Sequence, residues 1–313
     1  MQLHNLNNKI MTEDVIKQPS KNPGISFSAE EIPVHLRLDD IITDDEIKFM
    51  NLDQATLDDI RNILEIIKNK KLEKLLLGCE KNSSILNMDV NTLKEAGQET
   101  SEVIMTSNLL EEICSVIGYR IKRTLKELFL QNLPITLRVS LLKFHRARYL
   151  KKISIRHCQI GDYGCKAIFK RLSPFISHID LTDNNISKKG VHYIASAIRE
   201  QNTNTVKDPS NTGLQYLCLN CNPIRSAGLN ILVDTMVSDF CLKSVELRNC
   251  GIEDIGNTYI LALVNSGLEV FDLRGNPVAK PHQINKITKL LIQNNPPEVA
   301  TFKWSKAEKL YVD

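Results

Sequence analysis

Leu214–Ile224 reads LQYLCLNCNPI, with apolar residues at positions 1, 4, 6 and 11 and asparagine at position 9. The same eleven-residue pattern, with Asn, Cys or a substitute at position 9, recurs through the C-terminal half of the chain. It appears as LKELFLQNLPI from Leu125, LKKISIRHCQI from Leu150 and ISHIDLTDNNI from Ile176, then as LKSVELRNCGI from Leu242 and LEVFDLRGNPV from Leu268. Successive starts lie 25, 26, 38, 28 and 26 residues apart. A period of this size accommodates one short strand and one helix per unit, each unit burying its apolar face against the next.

A second periodicity is independent of the leucines. A glycine follows the closing isoleucine by four residues in four consecutive units, giving Ile160/Gly164, Ile186/Gly190, Ile224/Gly228 and Ile252/Gly256. A residue without Cβ lets the start of a helix pass close to the preceding turn. The segments that follow, GCKAIFKRL, GVHYIASAI, GLNILVDTM and GNTYILALV, carry apolar residues at helical spacing. Together the two signals predict an α/β leucine-rich-repeat solenoid of the ribonuclease inhibitor-like horseshoe class, with parallel strands on the concave face and helices on the convex face. Side chains alternate along a strand, so positions 4 and 6 should point into the core and positions 3, 5 and 7 onto the solvent side. Position 9 should turn inward, where Cys158, Asn184, Asn222, Cys250 and Asn276 can satisfy backbone groups of the turn. Leu133 breaks that rule, so its turn should be irregular.

Outside these units the pattern decays. LEKLLLGCEKN from Leu72 keeps apolar residues at 1, 4 and 6, and its 53-residue distance from Leu125 equals about two repeats. ATLDDIRNILEIIKN reads as an amphipathic helix, residues 101–119 as a further helix, and LRLDDIITDDEIKFMNL as an N-terminal cap. The expected organisation is a disordered segment at 1–25 and a repeat domain at 26–304, followed by a tail at 305–313. Within the repeat domain, 26–124 holds degenerate repeats and the cap, 125–279 the regular repeats with a solvated insert at 200–213, and 280–304 a C-terminal cap. In that last cap Phe302 and Trp304 cover the final repeat.

Composition narrows the function. The 313 residues carry 40 Lys+Arg against 37 Asp+Glu, a net charge of +3, too balanced for a protein that binds chiefly by neutralising phosphates. A nucleic-acid partner is therefore not expected. No apolar run is long enough for a secretory leader or a membrane span, so membrane insertion is not expected and a cytoplasmic location is. Eight cysteines scattered through a chain of this length suit reduced thiols better than a disulfide framework.

LQYLCLNCNPI, followed by LKSVELRNCGIEDIG, LEVFDLRGNP and a terminal FKW, resembles the leucine-rich-repeat domain of the centrosomal protein of 78 kDa family. The resemblance is specific over 150–304 and looser from about residue 35. It implies a centrosome, centriole or cilium-base protein without catalytic activity, linked to cilium formation and to regulation of a ubiquitin ligase whose components it binds through the repeats. Members of that family continue into a long C-terminal region with a coiled coil. This sequence ends at Asp313, a departure from their pattern.

Searches for chemistry return little. Cys218 and Cys221 form a CxxC, but zinc needs four ligands and no second ligand pair lies nearby, so no metal is expected there. The histidines show no ligand spacing, and phosphate-binding glycine motifs are absent, so no catalytic residue and no cofactor is assigned. Glu30–Ile42, EEIPVHLRLDDII, matches an F-box only in its Pro and Leu/Ile spacing.

The concave face is the most informative surface. Position 5 reads Phe129, Ser154, Asp180, Cys218, Glu246 and Asp272, and position 7 reads Gln131, Arg156, Thr182, Asn220, Arg248 and Arg274. Adjacent strands lie about 4.8 Å apart, so Glu246, Arg248, Asp272 and Arg274 should form a two-by-two tile of charge. One reading is mutual neutralisation, and the other is a polar binding patch. The candidate protein-binding residues are Arg156, Asp180, Glu246, Arg248, Asp272 and Arg274. Reversing Arg248 and Arg274 to Glu is expected to abolish partner binding and leave the fold largely intact. Three alternatives to a plain interaction scaffold share this repeat class: a GTPase activator of the Ran-activator type, a substrate receptor of a ubiquitin ligase, and an enzyme inhibitor of the ribonuclease-inhibitor type. The last would need a markedly acidic concave surface.

Overall fold

Leucine, isoleucine, valine and phenylalanine at positions 4 and 6 of seven units are buried, from Leu75 and Leu77 in the first to Phe271 and Leu273 in the last. Each such side chain taken from water stabilises the chain by about 1.5–3 kcal/mol. A single buried cluster joins them to helix residues such as Ile168, Ile194 and Leu232, which places the helices on the position 4/6 side of the strands.

In this computed structural model the described residues are 46–52, 57–79, 107–170, 172–207, 213–237, 241–255, 268, 270–279 and 310–311. All lie within one compact unit, Arg37–Asp313. The strands are β1 Glu46–Asn51, β2 Lys74–Gly78, β3 Glu127–Gln131, β4 Lys152–Arg156, β5 His178–Asp180, β6 Tyr216–Cys218, β7 Ser244–Glu246, β8 Val270–Asp272 and β9 Leu310–Tyr311. They form one open sheet in sequence order, every neighbour parallel. Registers are constant along the repeats, with Lys152 opposite His178 and His178 opposite Tyr216, so equivalent unit positions stand in rows across the sheet. The helices are α1 Leu57–Asn69, α2 Ser107–Ile121, α3 Gly161–Phe169, α4 Lys188–Lys207 and α5 Arg225–Met236. The parallel strands expected from Leu72 and from the six later units are all present.

Position 9 behaves as its chemistry requires. The Asn222 side chain accepts hydrogen bonds from the Asn184 and Ile186 amides, both at 2.9 Å, and donates to the Leu181, Leu219 and Asn220 carbonyls. Asn184 does the same for Cys158 and Ile160, and Asn276 for Cys250 and Ile252. Cys158 and Cys250 donate their thiols to nearby carbonyls, and burial pushes both thiols up to about 12. None of the eight cysteines is in a disulfide.

The glycine rule has a direct steric cause. A Cβ on Gly228 would lie 2.4 Å from Ile224 Cγ2, and one on Gly190 would lie 2.6 Å from both Ile186 Cγ2 and Asp162 Oδ1. That Asp162 carboxylate also caps α4 from the neighbouring repeat, accepting from the Ser187 and Gly190 amides at 2.8 Å. The fourth glycine, Gly256, and its helix fall outside the described residues.

The structure departs from the sequence reading in several places. Residues 200–207 of the supposed solvated insert continue α4. Gln201 is buried there, donating to the Ser173 carbonyl and accepting from the Leu214 amide, which ties the helix end to both flanking segments. The irregularity expected at Leu133 is present, and it extends into the unit's helical part, which consists of two 3-10 turns, Val139–Leu142 and Phe144–Arg146. In that unit Asn132 at position 8 takes over the inward role and donates to the Cys79 carbonyl. The N-terminal cap contributes a strand, β1, that pairs parallel with β2 through a register shift between Ile47 and Met50, and α2 is described from Ser107 onward, residues 101–106 of the expected helix lying outside the described residues. Leu310–Tyr311, within the segment set apart as a tail, pairs with Phe271 and Asp272 of β8. The expectations for residues 1–25, the F-box-like stretch Glu30–Ile42, and Phe302 with Trp304 lie outside the described residues.

Candidate polar site on the open face of the sheet

Helices occupy the position 4/6 side, so positions 3, 5 and 7 form the opposite face. Position 5 was expected in solvent, and here the structure overturns the reading. Asp180 and Asp272 are 0% and 1% exposed, and Ser154 and Cys218 are buried with them. Arginines at position 7 lie against the two aspartates, Arg156 on Asp180 and Arg248 with Arg274 on Asp272.

Arg156 reaches from β4 across to β5, where Nε and Nη2 both lie 2.6 Å from Asp180 Oδ2. The other Asp180 oxygen accepts from the Thr182 amide at 3.0 Å and the Thr182 hydroxyl at 2.7 Å. Three strands further on, Asp272 of β8 receives Arg248 Nε from just past the end of β7 and Arg274 Nε and Nη2 from its own strand end, the last at 2.8 Å. Burial alone would raise the Asp272 carboxyl. The Arg274 side-chain and backbone hydrogen bonds, together with the Arg248 charge, outweigh it and hold the group below the usual aspartate value. Arg248 Nη2 also lies 3.9 Å from Glu246 Oε2, so all four members of the expected tile are in contact.

Four residues that the sequence reading did not select complete the site. Tyr216 donates its hydroxyl to Glu246 Oε1 at 2.8 Å, and Asn220 Nδ2 donates to Glu246 Oε2 at 3.1 Å. Thr182 Oγ1 is 3.3 Å from Cys218 Sγ, which in turn lies 3.8 Å from Glu246 Oε2. One chain of polar contacts therefore crosses five strands, from Arg156 through Asp180, Thr182, Cys218, Glu246 and Arg248 to Asp272 and Arg274. Tyr216 and His178 stack beneath it with ring centroids 5.9 Å apart. Their signal was present in the strand alternation, since both stand at position 3, a row that faces the same way as 5 and 7. Burial drives the Tyr216 hydroxyl and the Cys218 thiol upward and, with Lys152 nearby, the His178 imidazole downward. All three groups are thereby held neutral near pH 7.

The network contains three arginines and three carboxylates, so its formal charge is zero. Side-chain exposure is 25% for Arg156, 40% for Arg248 and 35% for Arg274, against 19% for Glu246 and 0% and 1% for Asp180 and Asp272, so the exposed part is mainly cationic. Cys221, the second member of the CxxC, is exposed in its turn with φ of 58° while Cys218 is buried. Among the described residues no group of three or more His, Cys, Asp or Glu side chains has a geometry suited to a metal ion. No described helix is long and apolar enough to cross a membrane.

Comparison with known proteins agrees with this architecture. The Leucine Rich repeat family matches residues 146–169 and 173–195. The chain is 23% identical over 178 residues to the Centrosomal protein of 78 kDa of Homo sapiens, covering 51% of this chain and 26% of that protein. Its counterpart in Mus musculus is 24% identical over 173 residues, 50% of this chain and 22% of that one. The Protein Cep78 homolog of Drosophila melanogaster is 23% identical over 146 residues, 41% and 18% of the two chains. The matched region thus spans about a quarter or less of the length of these curated relatives. Repeat pattern, sheet and relatives agree that this is a chain of leucine-rich repeats, similar over half its length to the Centrosomal protein of 78 kDa.

Proposed function

We propose that the chain is a non-enzymatic interaction scaffold at the centrosome, whose open sheet face, the concave face of the solenoid, receives a protein partner through Arg156, Arg248 and Arg274. The observation that carries this is the division of labour within the network. Buried Asp180 fixes the Arg156 guanidinium at β4, buried Asp272 fixes those of Arg248 and Arg274 at the adjacent strands β7 and β8, and the guanidinium edges remain accessible. Arginines held in place before a partner arrives lose little entropy on binding, and their planar donors suit carboxylates and carbonyls of a docked segment. Leucine-rich-repeat domains generally bind proteins, and the similarity to the Centrosomal protein of 78 kDa supports the centrosomal setting. In its fuller form the proposal includes a role at the centriole and cilium base and binding of ubiquitin-ligase components, as the family resemblance implies.

The burial of Asp272 changes how this is tested. Reversing both Arg248 and Arg274 would leave a buried carboxylate among new negative charges, a loss of several kcal/mol that would confound any binding result. Arg248→Gln is the better variant, because Arg274 alone keeps three hydrogen bonds on Asp272. Proximity labelling in cells with the tagged chain should enrich centrosomal and ubiquitin-ligase proteins, and Arg248→Gln should reduce a defined subset of them. Identical labelled sets for the two chains, with the variant folded, would refute the proposal.

A further inference from the structure

The chain carries a second charged surface, away from the position 7 arginines, at the strand ends where helices hand over to strands. Residues 120–152 contain ten Lys and Arg and one acid, Glu127, a net of +9 in a chain whose total is +3, so the remainder carries −6. Within this segment Lys122, Arg123, Lys143, Arg146, Arg148 and Lys151 are all exposed. None of the six makes an ion pair among the described residues.

The fold gathers these cations at one end of adjacent strands. The connections at 122–126 and 143–151 lead into β3 and β4, which are parallel neighbours in register. The backbone ladder runs from the Lys126 amide to the Glu73 carbonyl, from Lys151 to Lys126 and from Ser177 to Lys151, which aligns these starts side by side. Arg123 and Arg148 accordingly occupy equivalent places, each two residues before the first position of its unit. Arg123 packs its guanidinium 4.3 Å above the Tyr119 ring, which holds the charge at the surface without neutralising it. An independent feature adjoins the cations. Tyr149 and Phe175, again at equivalent places in successive units, are 53% and 45% exposed, an aromatic pair on the same rim.

We infer that this rim is a docking surface for an acidic, aromatic- or aliphatic-bearing protein segment in extended conformation. Charge complementarity selects an anionic partner, and the aromatic pair supplies an apolar anchor beside it. The rim spans roughly 10 Å, two strand spacings. Alternate carboxylates of an extended peptide, about 6.8 Å apart, fall within reach of several cations there. A nucleic acid carries its charge far past such a strip, where the rest of the chain is net negative and repels it.

The inference is tested on the purified chain with a fluorescein-labelled peptide of alternating Glu and Ala bearing one central Tyr. A labelled oligo-dT of matched length and vesicles containing phosphatidylserine are run alongside it. The peptide should bind, and its affinity should fall as salt rises. Arg123→Glu, Arg146→Glu and Arg148→Glu together should weaken it about tenfold or more. The same charge change on exposed α4 positions, Lys189→Glu, Arg199→Glu and Lys207→Glu, should leave it within about twofold. Tyr149→Ser with Phe175→Ser, which keeps every charge, should also weaken it. Equal loss from the rim and α4 variants would reduce the effect to net charge and overturn the inference. So would salt-independent peptide binding, or tighter binding of the oligo-dT or the vesicles than of the peptide. The assay does not involve Arg248, so its outcome is separate from that of the open-face proposal.

Discussion

Replacing Asn222 by alanine should destabilise the repeat array by about 3–4 kcal/mol, and the reason is local. The side chain accepts from two backbone amides, those of Asn184 and Ile186, in residues that are 0% exposed, and donates to three carbonyls. Alanine removes all five bonds at once. A buried donor left without a partner costs about 1–3 kcal/mol, so the two amides alone account for about 2–6 kcal/mol. The carbonyls add less, because each has a second lone pair. Against a total stability of roughly 5–15 kcal/mol the loss is large. The chain itself suggests a graded variant, since Cys158 and Cys250 fill the same position and give their thiols to carbonyls. Asn222→Cys should therefore fall between wild type and alanine. Urea unfolding followed by circular dichroism gives the order, and amide hydrogen exchange locates it, with Asn184 and Ile186 losing protection first. An Asn222→Ala change below about 1 kcal/mol, or unaltered exchange at those two amides, would refute the inter-repeat asparagine as a structural element.

Three further outcomes follow from the geometry. Asp272 is held below its ordinary value in the folded chain, so its contribution to stability is full above the unfolded pKa of about 3.9 and is lost as pH falls through the lower folded value. Urea unfolding across that acid range should show this dependence in wild type and lack it in Asp272→Asn. Gly228→Ala should destabilise the protein because the new Cβ would meet Ile224 Cγ2 at 2.4 Å, although helix propensity alone would favour alanine by about 1 kcal/mol, so the sign of the thermal shift decides. Gln201→Ala should cost about 1–3 kcal/mol and expose the end of α4 to proteolysis near Lys207, since the bonds to Ser173 and Leu214 are lost.

Much of the fold was legible because the repeats are written in small, strict signals. Apolar residues at positions 4 and 6 and the inward asparagine each have one physical job, and a pattern repeated six times is hard to misread. The α4 extension was missed because EQNTNTVK is polar and resembles a loop by composition, while a single buried Gln201 supplies the anchors that composition cannot show. The site was half legible. Alternation placed Arg156, Arg248, Arg274 and their acids on one face. It could not show that Asp180 and Asp272 are covered, because coverage depends on the reach of side chains from neighbouring strands. Tyr216 and Thr182 stand in the same rows, at positions 3 and 7, and only their contacts with Glu246, Asp180 and Cys218 reveal them as network members. The basic rim escaped notice because the whole-chain charge of +3 conceals a local excess.

The central claim, that partners dock on the open sheet face, is tested most directly by site-specific photocrosslinking in cells. A photoreactive residue at Ser244, half-buried at position 3 of β7, reports on that face, and one at Tyr193 on α4 reports on the helical side. The account predicts discrete crosslinked partners from Ser244 that diminish when Arg248→Gln is added, with few or none from Tyr193. Crosslinks from Tyr193 alone, or Ser244 crosslinks indifferent to Arg248→Gln, would contradict it.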